Sequence, residues 1–76
     1  MKNAVIRMRL VDFLNVLDAR AHITIFVTET EPAFSGLVYE ALTDKAFMGE
    51  YGDWDVAGLT ATMSLVTILI KEEVNV

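Results

Sequence analysis

The chain has 76 residues, 11 acidic and 6 basic for a formal net charge of −5, with one histidine and no cysteine. A chain this short holds one domain with a thin core, and small scaffolds of this kind are braced by disulfides, a metal or self-association. Without cysteines, and with His22 as its one histidine, self-association is the remaining support, and the acidic balance argues against general binding along a phosphate backbone. Hydrophobic residues make up 54% of the chain, more than so small an interior can hold, which again points to an apolar contact surface and a homo-oligomer.

In "RMRLVDFLNVLDAR", Leu10, Phe13, Leu14 and Leu17 recur at helical spacing while Asp12, Asn15 and Asp18 take the opposite side. This predicts an amphipathic helix over residues 9–19, with residues 1–8 as an N-terminal extension. From His22 to Thr28 the pattern changes to alternation. Ile23, Ile25 and Val27 fall on one face of a strand, and His22, Thr24, Phe26 and Thr28 on the other. "ETEP" then breaks the strand, because Pro32 has no backbone donor. "FSGLVYE" reads as the returning strand, with Gly36 marking a bend or bulge.

"ALTDKAFMGEYGD" abandons the alternation and suits a short helical turn begun by Thr43 or Asp44 as its cap, followed by a loop at Gly49 and Gly52. "WDVAGLTATM" and "SLVTILIK" are two further β-branched strands joined near Thr62 to Ser64. The apolar run from Met63 to Ile70 falls far short of the roughly 20 residues a membrane helix needs, and the N-terminus has no secretory pattern. A cytoplasmic protein without a membrane partner is therefore expected.

Chemically reactive groups are sparse. His22 would need converging partners to act as a base or ligand, and Ser35 and Ser64 lack a nucleophile setting. Asp53 and Asp55 flank Trp54 and would share a face in an extended segment, so a metal-assisted hydrolase using them with His22 is one alternative. Their plainer role is to solvate a loop. Tyr39, Tyr51 and Trp54 sit beside polar or glycine-rich sequence, where they could stack on a base or close the core. Together with Asp44, Lys45, Asp53 and Asp55 they form the candidate ligand- or partner-binding set. No catalytic residue, resident metal or cofactor is expected.

The run "ITIFVTETEPAFSGLVYEALTDKAFM" resembles the first motif of the Sm-like proteins, in which a glycine-bent strand leads to an aspartate, then a methionine and an asparagine. Here Asp44 is followed by "KAFMG", with Met48 one place late and Gly49 in place of the asparagine. The resemblance extends over about residues 9–71 as a pattern. It implies a mainly β fold with an N-terminal α-helix, a single domain over 1–76 whose residues 21–71 form a small Sm-like or SH3-like antiparallel barrel of four to five strands. The second Sm motif has no counterpart between Trp54 and Lys71, which removes residues such proteins use to bind uridine, so an Sm-like RNA-binding protein is the alternative function, ahead of the hydrolase, with RNA a partner disfavoured by the charge.

The "LVDFLNVL" helix and "HITIF" strand also resemble short acidic proteins of phages and prophages from Firmicutes. That likeness implies a non-enzymatic binding module that sequesters a ligand or blocks a host factor. Holding a nucleotide would require Arg7, Arg9, Arg20, Lys45 or Lys71 to converge. Occupying a nucleic-acid site on a host protein would require Asp12, Asp18, Glu29, Glu31, Asp53 and Asp55 to form one negative face.

Overall fold

A computed structural model describes residues 8–28 and 30–72, and its elements run α1 (Leu10–Val16), β1 (His22–Phe26), β2 (Pro32–Leu37), α2 (Val38–Thr43), α3 (Lys45–Tyr51), β3 (Asp55–Ala61) and β4 (Val66–Lys71). The alternation in β1 and β4 organises the rest. Ile23 and Ile25 on one strand, and Ile68 and Ile70 on the other, are buried to within 1% of full exclusion from solvent. Ile25 lies directly opposite Ile68, so the four isoleucines make one apolar face of the sheet. Leu10 and Leu14 of α1, Val38 and Ala41 of α2 and Phe47 of α3 close the core over it. Each large aliphatic side chain removed from water in this way stabilises the fold by about 1.5–3 kcal/mol.

The four strands form a mixed sheet in the order β2-β1-β4-β3. Two antiparallel hairpins, β1 with β2 and β3 with β4, are joined at the centre by the parallel pair β1 and β4. The expected antiparallel barrel is corrected at this point. The chain leaves β2, crosses through α2 and α3 and enters β3 at the far edge, so β4 must return beside β1 in the same direction. β2 and β3 then lie at opposite edges, and the sheet is open.

The first helix is shorter than its periodicity suggests. It ends at Val16 and Leu17 is already extended, because Asp18 turns the chain: its carboxylate accepts the Arg20 amide at 2.8 Å and its carbonyl accepts the Ala21 amide at 2.9 Å. At the other end, Leu10 N–H donates to the Trp54 carbonyl and Val11 N–H to that of Gly52, at 2.8 and 3.0 Å. Loop carbonyls thus satisfy amides that a helix start otherwise leaves open. Residues 1–7 of the expected extension lie outside the described residues.

The returning strand also stops early. Val38, Tyr39 and Glu40, read as strand from the sequence, open α2 instead. The Val38 and Tyr39 amides donate to the carbonyls of Ala21 and Ala19, each at 3.0 Å, and the Glu40 carboxylate accepts the Leu37 amide at 2.9 Å. Gly36 fits this corner. A Cβ built on it would stand 2.7 Å from that Glu40 oxygen and 3.3 Å from the Phe34 ring. Asp44 then starts α3 as expected, its side chain accepting the Phe47 amide at 3.0 Å. No helix among the described residues is long and apolar enough to cross a membrane.

Candidate functional site

The seven binding candidates do not assemble into one site. Asp44 is occupied as the α3 cap, with Lys45 exposed beside it, while Tyr39 is half-exposed in the first turn of α2. Tyr51, Asp53, Trp54 and Asp55 lie together where α3 passes into β3. There Trp54 meets Tyr51 edge-on with ring centroids 4.8 Å apart, Tyr51 meets Phe47 at 5.3 Å, and Phe47 meets Phe34 at 5.3 Å. This chain of rings ties β2 to the α3–β3 loop, as edge and offset contacts between aromatic rings do in cores. Two of the three candidate stacking residues, Tyr51 and Trp54, are half-buried members of it.

The carboxylates around this loop are separated by role. Asp53 accepts a hydrogen bond from Arg9 Nη1 at 2.9 Å, and the same guanidinium reaches Asp12 through Nε at 3.0 Å. The hydrogen bond and charge of Asp12, then the charge of Asp53, raise the Arg9 pKa above its ordinary value. Asp55 is buried at the start of β3, in register with Lys71. His22 pairs at the other end of the sheet, beside the start of β4, so the length of β4 separates it from Asp55, on the order of 16 Å. The hydrolase set of His22, Asp53 and Asp55 is not brought together. Among the described residues no three histidine, cysteine or acidic side chains are grouped to hold a metal ion.

Positive charge does not converge among the described residues either. Arg9 is engaged by Asp12 and Asp53, Lys45 on α3 and Lys71 at the end of β4 are exposed on separate elements, and Arg7 falls outside the described residues, as does Glu29 of the candidate negative face. Arg20 stands apart, because it borders a groove of about 310 Å³ with Ala21, His22 and the turn Thr62 to Val66. The sequence identifies Arg20 only as one of several cations and His22 only as an isolated histidine. The β1–β4 pairing brings them to the β3–β4 turn. Signals for the two turns themselves, Asp18 and Thr62, were present in the sequence.

The β3–β4 hairpin carries the other exposed feature. Leu59 is 54% exposed although its register partner Ile68 is fully buried, and Met63 and Leu65 are exposed at and beside the turn. From Ala57 to Ile70 the chain has no charged residue. Comparison with protein-family models, with curated proteins and with solved structures found no match for this chain.

Proposed function

We propose that the chain is a non-enzymatic binding module that works as a homo-oligomer, its copies meeting through the β3–β4 hairpin. The observation that carries this reading is Leu59: it lies on the core side of the sheet, in register with Ile68, yet more than half of it meets solvent. The helices cover the centre of that face, α1 reaches the start of β3, and Leu59 farther along β3 is left open. The contact is centred on Leu59, and Met63 and Leu65 lie beyond it at the tip of the hairpin.

A second copy is the occupant that suits this surface. Copies carrying a net charge of −5 repel one another in general, but the hairpin is uncharged from Ala57 through its turn. Two hairpins can therefore meet without placing like charges together, and burying Leu59 adds to the thin core of each copy. The dispersed carboxylates and the isolated imidazole support a role in holding a ligand or covering another molecule, with no reaction of its own.

A charge on the hairpin tests this reading. Leu59→Lys places an ammonium group on the contact surface and leaves the central isoleucines untouched. Light scattering after gel filtration is expected to give a multiple of the 8.5 kDa chain mass for the parent protein and a single chain for the variant. A variant that keeps the parent mass, with an unchanged circular dichroism spectrum, would contradict the reading.

A further inference from the structure

We infer that the groove between the Asp18–His22 turn and the β3–β4 turn binds a small organic anion, one that joins a phosphate or carboxylate group to a compact apolar body. The inference rests on the reading of this chain as a binding module, and does not require its copies to associate. Three features of the groove lead to this ligand.

The first is charge. In a chain with 11 acidic residues, the groove lining contains no carboxylate and contains the Arg20 guanidinium. Arg20 takes part in neither of the ion pairs found among the described residues, Arg9 with Asp12 and Arg9 with Asp53. Its guanidinium offers several donors in a fixed planar fork suited to phosphate or carboxylate oxygens. The carboxylate next to it in sequence, Asp18, is already taken by the Arg20 backbone amide at 2.8 Å and does not line the groove.

The second is the division of the lining. His22 and Ser64 add groups able to donate hydrogen bonds, while Ala21, Met63, Leu65 and Val66 supply apolar surface. A bare inorganic ion would leave that apolar surface wet, and a neutral apolar molecule would leave the guanidinium without a partner. A volume near 310 Å³ is at the small end of the range for ligand sites, roughly 300–1,000 Å³.

The third is that the backbone of both walls is held in place before any ligand arrives. On one side Asp18 holds the amides of Arg20 and Ala21, and the carbonyls of Ala19 and Ala21 receive the first amides of α2. On the other, the Thr62 amide donates to the Leu65 carbonyl at 2.8 Å, and Thr62 Oγ1 accepts the Leu65 amide at 3.2 Å. The ordering cost of binding is then confined to side chains, chiefly those of Arg20 and Met63.

Amide NMR spectra of the full chain titrated with phenyl phosphate, and separately with phenol and inorganic phosphate, test the inference. Phenyl phosphate is expected to shift the signals of residues 20–22 and 62–66, and to bind more tightly than either fragment. Arg20→Gln, at an exposed position whose backbone bonds remain, is expected to weaken it about tenfold or more. Shifts elsewhere, no saturable shifts, or equal binding by Arg20→Gln would overturn the inference. The mass of the same samples reports association separately: a single chain that still binds phenyl phosphate at the groove upholds this inference while overturning the proposed assembly.

Discussion

Gly36 and Glu40 show how one position can be set by another four residues away. Gly36→Ala puts a methyl group against the Glu40 carboxylate, which must swing off the Leu37 amide to make room. Loss of that terminal hydrogen bond is expected to cost about 1 kcal/mol. Glu40→Ala removes the same bond, so the two changes should be far from additive in a chemical-denaturation cycle; full additivity would place the role of Gly36 elsewhere. Gly36 was legible in the sequence as a special position, but its reason was not, because the neighbour that excludes a side chain belongs to a helix read as strand. Tyr51 adds a residue-level pH effect. Partial desolvation, then the Glu50 charge, raise its phenol pKa above the ordinary 10.0, so the fold favours the neutral ring. Its contribution to stability is complete below pH 10.0 and is lost as pH rises through the raised value. Phenolate absorbance in a Tyr39→Phe variant should therefore show a midpoint above 10.0, and a midpoint at or below it would contradict this account.

At the scale of elements, the central strands were the most legible part of the chain. Ile23 with Ile25 and Ile68 with Ile70 alternate as half-buried strands must, and all four are core residues. Ile68→Ala is expected to lower stability by about 2–5 kcal/mol in urea denaturation, because it empties core space between β4 and the helices; a loss under about 1 kcal/mol would show that the site collapses around the change. What alternation cannot report is the neighbour of a strand or its direction, since a β4 paired parallel to β1 has the same face pattern as one paired antiparallel. The start of α2 was hidden for a related reason. Val38 and Tyr39 are good strand residues by local preference, and the carbonyls of Ala19 and Ala21 that draw their amides into a helix start come from the turn after α1. The same tertiary pairing, not any local motif, gathers Arg20, His22 and the Thr62–Leu65 turn into a groove, while Tyr51 and Trp54, singled out in the sequence only for their polar or glycine-rich neighbours, meet edge-on where α3 passes into β3.

For the whole molecule, the central question is how a thin, open sheet is completed. One face is covered by three helices, its β3 side leaves Leu59 exposed, and an uncharged hairpin continues from it in an otherwise acidic chain. Those three facts are accounted for together if the protein functions as an assembly of like copies, and composition alone already pointed to leftover apolar surface. Native mass spectrometry of the untagged full chain across a dilution series tests this most directly. The account predicts a whole-number multiple of 8.5 kDa that falls to a single chain on dilution; a single chain at every concentration would contradict it.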